Sequence, residues 1–169
     1  MKTLKNSIYL LLLCTAVVVS SCSKDKNNEE EGDEQNNNGT EFLTAKVNGN
    51  DFEAAQDPAV IVGAQVSNNV LAFQGGKNNG ETIRGTINDY NGVGTYVTGN
   101  DISNPNSLGY ITINPVATWM STFNIGSGTL EVTFDDGTTV EGTFTFEGLN
   151  AQDQTTKTIT EGQFKAVID

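Results

Sequence analysis

Histidine is absent from this 169-residue chain, which also has only two cysteines, three prolines and one tryptophan. Each shortage excludes something. Without His the commonest general base is missing, and so is the imidazole ligand of zinc sites. The cysteines stand at positions 14 and 22, so the sequence beyond them has no internal disulfide, no thiol nucleophile and no sulfur ligand for a metal. Cations are scarce as well, with nine Lys and Arg against 21 Asp and Glu and a formal charge of −12. After residue 40 they are Lys46, Lys77, Arg84, Lys157 and Lys165, scattered singly. Such spacing cannot neutralise a run of phosphates, which argues against nucleic acid as a partner.

No apolar run reaches the roughly 20 residues needed to span a bilayer. The longest, residues 8–19, follows Lys2 and Lys5 and ends at Ser20, Ser21 and Cys22, the layout of an export signal. Val19-Ser20-Ser21-Cys22 resembles the lipobox, in which a branched apolar residue and two small ones precede a Cys. The resemblance implies a lipoprotein signal peptide over residues 1–21, cleavage between Ser21 and Cys22, and Cys22 as the lipidated first residue. Its partner is then membrane lipid, through a thioether-linked lipid and an amide-linked acyl chain. One acyl chain holds only marginally, whereas several, at about 0.8 kcal/mol per buried CH₂, anchor stably. Loss of Lys2 and Lys5 with the signal makes the formal charge two units more negative than −12. Anionic headgroups would repel so acidic a chain, leaving the acyl group as the membrane contact.

Residues 22–40 are expected to be the lipidated Cys and a disordered acidic tether. Almost nothing in them can be buried, and Asp25, Glu29, Glu30, Glu31, Asp33 and Glu34 repel one another. Ser23-Lys24-Asp25-Lys26 partly resembles the charged signal that follows the lipidated Cys in Bacteroidota lipoproteins displayed on the cell surface, with Lys26 where an acidic residue is usual. An outer-membrane anchor facing the cell surface is therefore expected, with the periplasmic face as the alternative.

Residues 41–169 read as a single all-β domain. Asn48-Gly49 favours a two-residue type I′ turn, which sets Val47 opposite Asn50, Ala45 opposite Phe52 and Leu43 opposite Ala54. All the apolar residues then share one face, and Lys46 meets Asp51 on the other as a cross-strand ion pair. A second hairpin spans residues 129–147, with Leu130, Val132 and Phe134 alternating on one arm and Val140, Phe144 and Phe146 on the other. Matching those faces needs a loop of three or five residues around Asp136-Gly137, with Gly137 left-handed and a bulge nearby. Gly142 marks a bend or the close approach of another layer. Further strands are expected at 59–66, 70–74, 82–87, 95–98, 110–113 and 159–168, separated by Asn- and Gly-rich turns. No stretch has a helical period. The fold class is therefore an antiparallel β-sandwich or a flattened, partly open β-barrel of about eight to ten strands. Pairing of the first and last strands would decide between them.

Ala45-Lys46-Val47-Asn48-Gly49 with Phe52 and Ala54, Gly94-Thr95-Tyr96, Ser127-Gly128-Thr129-Leu130, Glu141-Gly142-Thr143-Phe144-Thr145-Phe146 and Ile159-Thr160-Glu161-Gly162-Gln163-Phe164 form an ordered set. That set resembles a family of Bacteroidota lipoproteins of unknown function. The resemblance implies a small all-β exported domain and lends no catalytic residue.

Chemistry must then come from oxygen-bearing side chains. Glu131 and Glu141 fall diagonally on one face of the second hairpin, about 7–8 Å apart by strand geometry. Inverting glycosidases space their carboxyl groups in that range. The same face carries Thr129, Thr133, Thr143 and Thr145, the ordinary content of a solvated sheet. Asp135-Asp136-Gly137 and residues 88–92 offer oxygen ligands for calcium without EF-hand spacing, and their residue types are also those of tight turns. Trp119, in a segment fitting neither strand nor helix, stacks on a sugar, anchors a partner or caps the core. Tyr90, Tyr96 and Tyr110 carry the same alternatives, with Tyr96 leaning to the core.

No cofactor and no metal is expected. The leading reading is a non-catalytic surface binding or adhesion module for an unknown glycan, peptide or envelope protein. Next stands a structural or accessory subunit of an envelope complex, and last a glycan-acting enzyme using Glu131 and Glu141.

Overall fold

Strands β1 (Phe42–Val47) and β2 (Asn50–Glu53) form the expected hairpin, with φ 48° at Asn48 and 81° at Gly49. The structure, a computed structural model, describes residues 41–56 and 62–169. The signal peptide, Cys22, the tether and part of the strand expected at 59–66 lie outside the described residues. In the hairpin Val47 faces Asn50 and Ala45 faces Phe52, and the Ala54 N–H donates to the Leu43 carbonyl at 2.9 Å. Leu43, Ala45, Val47, Phe52 and Ala54 are accordingly buried together.

Lys46 does lie opposite Asp51, but its ammonium goes elsewhere, to Glu161 at 2.9 Å. The expected ion pair is thus corrected. β11 (Thr156–Val167) flanks β1 on its other side, and a bulge between Thr44 and Lys46 leaves Glu161 as an extra residue at φ 52°. That kink delivers the Glu161 carboxylate to Lys46.

The second hairpin joins β9 (Ser127–Asp135) to β10 (Thr139–Leu149), with Gly137 at φ 83°. Leu130 faces Phe144 and Val132 faces Gly142, as the apolar pattern requires. The register then shifts between Glu141 and Gly142, and Phe134 comes to face Glu141 rather than Val140. Phe134, expected in the core, is consequently 44% exposed. One extra residue in a strand flips everything beyond it to the other face.

The remaining strands are β3 (Gly63–Ser67), β4 (Val70–Gly76), β5 (Thr82–Ile87), β6 (Gly94–Gly99), β7 (Ser107–Ile113) and β8 (Val116–Thr122). β8 was not expected. It pairs with β7 across a two-residue turn at Asn114-Pro115, whose peptide bond is cis. Its inward side is Ala117, Trp119 and Ser121, and a buried Ser breaks the apolar alternation that marks other strands.

The eleven strands of the described residues join one antiparallel sheet with the order β2-β1-β11-β10-β8-β7-β5-β4-β3, and β9 and β6 continue from β10 on a branch. β1 and β11, the first and last strands, do pair, so the sheet curls into a half-barrel with eleven strands, one more than expected. β10 meets β9 over most of its length and β8 only at Leu149 with Met120, so the sheet parts there into two wings. The wings enclose the core. Phe73 of β4 stacks on Phe164 of β11 with centroids 4.3 Å apart and lies 5.9 Å from Phe144 of β10. Each ring covers a cross-strand glycine: Phe73 over Gly85, Phe164 over Gly142 and Phe144 over Gly162. A Cβ on any of these glycines would fall against the ring, which is the close approach expected at Gly142. Among the described residues the buried core runs from Leu43 to Ala166, within the compact unit Asn36–Asp169.

Candidate functional site

Alternation along β6, β9, β10 and β11 sends a polar set of side chains to the outer face of the half-barrel. Val97 faces Thr129 and Thr129 faces Thr145 in one row, and Ser127, Glu147 and Thr158 line up in the next. These rows are the floor of an open groove of ≈ 880 Å³, completed by Thr160 and walled by Asn100, Asp101, Asn104 and Asn106 in the loop after β6.

The wall is held rigidly by its own side chains. Asn104 and Asn106 both donate an amide N–H to the Val97 carbonyl, at 2.9 and 3.1 Å. Their amide oxygens are also engaged, accepting the backbone N–H of Asn106 and of Asn88 respectively. Asp101 accepts the Ser103 N–H and hydroxyl, each at 2.8 Å, and these bonds hold its carboxyl below the usual carboxylate range. Behind the floor the buried hydroxyls of Thr98 and Ser121 bond at 2.6 Å and tie β6 to β8. The floor differs in kind. Among the described residues the side chains of Thr129, Thr145, Thr158, Thr160 and Glu147 make no hydrogen bond to another protein group.

Glu131 and Glu141 do share one outer face, but neither lines the groove. Glu141 is bridged to Lys165 of β11 at 2.9 Å, and Glu131 lies between Thr95 and Thr143. The carboxylates of the Asp135-Asp136 loop are occupied by their turn and by Tyr90. Asp136 Oδ1 accepts from Thr138 N–H, Thr138 O–H and Thr139 N–H, and these bonds lower its pKa. Asp135 accepts from Gly137 N–H through one oxygen and from the Tyr90 hydroxyl at 2.6 Å through the other. In the 88–92 loop Asn88 bonds to Pro105 and Asn106. Among the described residues no three His, Cys, Asp or Glu side chains are grouped so as to hold a metal ion.

Trp119 caps one end of the core. It is 8% exposed, packs on Tyr110 at 5.7 Å, donates its indole N–H to Thr155 Oγ1 at 2.9 Å, and lies under the Lys157 ammonium. Tyr90 and Tyr110 are buried, and burial is the main cause raising both phenols, Tyr110 to about 12 with help from Glu81. Tyr96 packs against the core and gives its O–H to the Gly92 carbonyl at 2.7 Å.

Nothing in the residue pattern singled out Glu147, Thr145 or Thr160. The loop with Asn100, Asp101, Asn104 and Asn106 was the available signal, since a long connection rich in side-chain acceptors builds its own fixed shape.

Residues 39–168 match the family described as a domain of unknown function, DUF6252, and the chain therefore belongs to that family. No curated protein and no solved structure matches the chain.

Proposed function

We propose that this DUF6252 chain is a lipoprotein of the Bacteroidota type, anchored to the outer membrane through Cys22 and displayed on the cell surface. Its β domain acts as a non-catalytic binding module whose ligand occupies the groove between β6 and β11. The groove carries this reading: a fixed wall faces a floor of hydroxyls and one carboxylate whose side chains, among the described residues, bond to no other protein group and are open to a ligand. Anchoring is supported by Val19-Ser20-Ser21-Cys22 and by the acidic stretch after it, which would hold a binding face clear of the lipid. The lack of His, and the engagement of Glu141 by Lys165, favour binding over glycan hydrolysis.

A thermal-shift screen of the segment from Asn36 to Asp169 against soluble glycans and peptides tests the binding site. A ligand at a hundred times its Kd stabilises by about 2.7 kcal/mol, several degrees of melting temperature. The shift should vanish in Thr145→Arg, which fills the floor; an equal shift in both proteins puts binding elsewhere. For the anchor, Cys22→Ser should leave the envelope fraction and lose palmitate labelling, and unchanged partition contradicts lipidation. Protease added to intact cells should degrade the domain, and its survival contradicts surface display.

A further inference from the structure

We infer that the occupant of this groove is a polypeptide segment bearing basic and apolar side chains, with Ile102 and Phe123 as its apolar contact. The inference rests on the groove being the binding site and goes on to name the class of its ligand. Charge is the first argument. The ionisable residues lining the groove are Asp101 and Glu147, both acidic, with no Lys or Arg beside them, in a chain of net charge −12. Glu147 stands between Ser127 and Thr158 and, among the described residues, is in no ion pair, so a basic side chain complements it.

The wall supplies the second argument. Between Asp101 and Glu131 the sequence contains no charged residue, although the chain is 18% charged. In that stretch Ile102 is 75% exposed and Phe123 44%. Phe123 sits at φ 47°, a left-handed conformation that bulky side chains rarely adopt. It is held there by the backbone: its N–H donates to the Asn104 carbonyl at 3.1 Å, and its carbonyl accepts the Asp101 N–H at 2.9 Å. Asp101 and Asn104 both line the groove, so the backbone of Phe123 is pinned to its wall while the residue stays 44% exposed. An exposed apolar pair next to an acidic, polar groove complements a chain that carries both basic and apolar side chains. A sugar finds no stacking platform on the floor, because Phe146 is turned into the core.

Two labelled peptides of about twelve residues, one alternating Lys with Leu and the other Lys with Ser, are titrated by fluorescence anisotropy into the Asn36–Asp169 segment at physiological salt. The Lys-Leu peptide should bind about tenfold tighter or more than the Lys-Ser peptide of equal charge. Ile102→Ser with Phe123→Ser should erase that advantage, Glu147→Gln should weaken both peptides, and Phe134→Ser, an exposed ring away from the groove, should change nothing. Should the double variant fail to fold by circular dichroism, Ile102→Ser alone carries the test. Equal affinity for the two peptides, or an equal loss in Phe134→Ser, reduces the binding to general charge attraction and overturns the inference. A neutral oligosaccharide that binds and is lost in Thr145→Arg also overturns it, while leaving the groove as the binding site.

Discussion

Three phenylalanine rings over three glycines set the thickness of the core, because a ring can lie flat on the next strand only where that strand has no Cβ. At Gly162 a methyl group would press into the Phe144 ring and the backbone behind it. Gly162→Ala should therefore cost about 1–3 kcal/mol in urea unfolding, the usual penalty for overpacking. Titrating residues make a second prediction. Asp101, Asp136 and Asp153 each accept bonds from a Ser or Thr two residues on, and in each those bonds lower the pKa. A carboxyl lowered on folding adds stability above its unfolded pKa of about 3.9 and loses it as pH falls through the folded value. The melting temperature should thus decline below about pH 4, and decline less in Asp136→Ala. Tyr110 behaves oppositely: a phenol raised to about 12 supports the fold below its unfolded pKa near 10 and loses that support as pH climbs from there towards 12. Ultraviolet titration should find it ionising late. At this scale the close approach at Gly142 and the capping role of Trp119 stood among the alternatives that residue type offered, and the structure chose between them. Which carboxylate Lys46 would choose was not, since Asp51 is its cross-strand neighbour and Glu161 is 115 residues away in sequence.

At the scale of elements, period-two alternation found ten of the eleven described strands, and its failures have two causes. A strand announces itself by the residues it buries, and β8 buries a Ser between its apolar positions. Bulges defeat the pattern differently. Leu130 and Phe134 look equivalent in sequence, yet Leu130 is buried and Phe134 is not, because the register shifts between them. Leu130→Ala should cost about 2–5 kcal/mol, whereas Phe134→Ser should stay within about 0.5 kcal/mol of the parent in the same denaturation experiment. Equal losses would mean that the bulge does not form.

For the molecule as a whole, closure between the first and last strands makes the two ends of the domain depend on each other. β11 supplies Ile159, Phe164 and Ala166 to the core and pairs with both β1 and β10. Deleting residues 156–169 should abolish cooperative melting by circular dichroism, while deleting residues 1–35 should leave the transition in place.

Sequence by itself determined the all-β class, the first hairpin in full register and the kind of chemistry excluded, because turn residues and alternation are local and an absent side chain is absent in any fold. The groove and its wall were decided only by tertiary structure. Its floor is assembled from β6, β9, β10 and β11, running from Val97 to Thr160 in the chain, and no single stretch of threonines differs from an ordinary wet strand until a neighbour stands beside it. Strand pairing set those strands side by side, and the self-bonded Asn104 and Asn106 made one side of them a fixed surface.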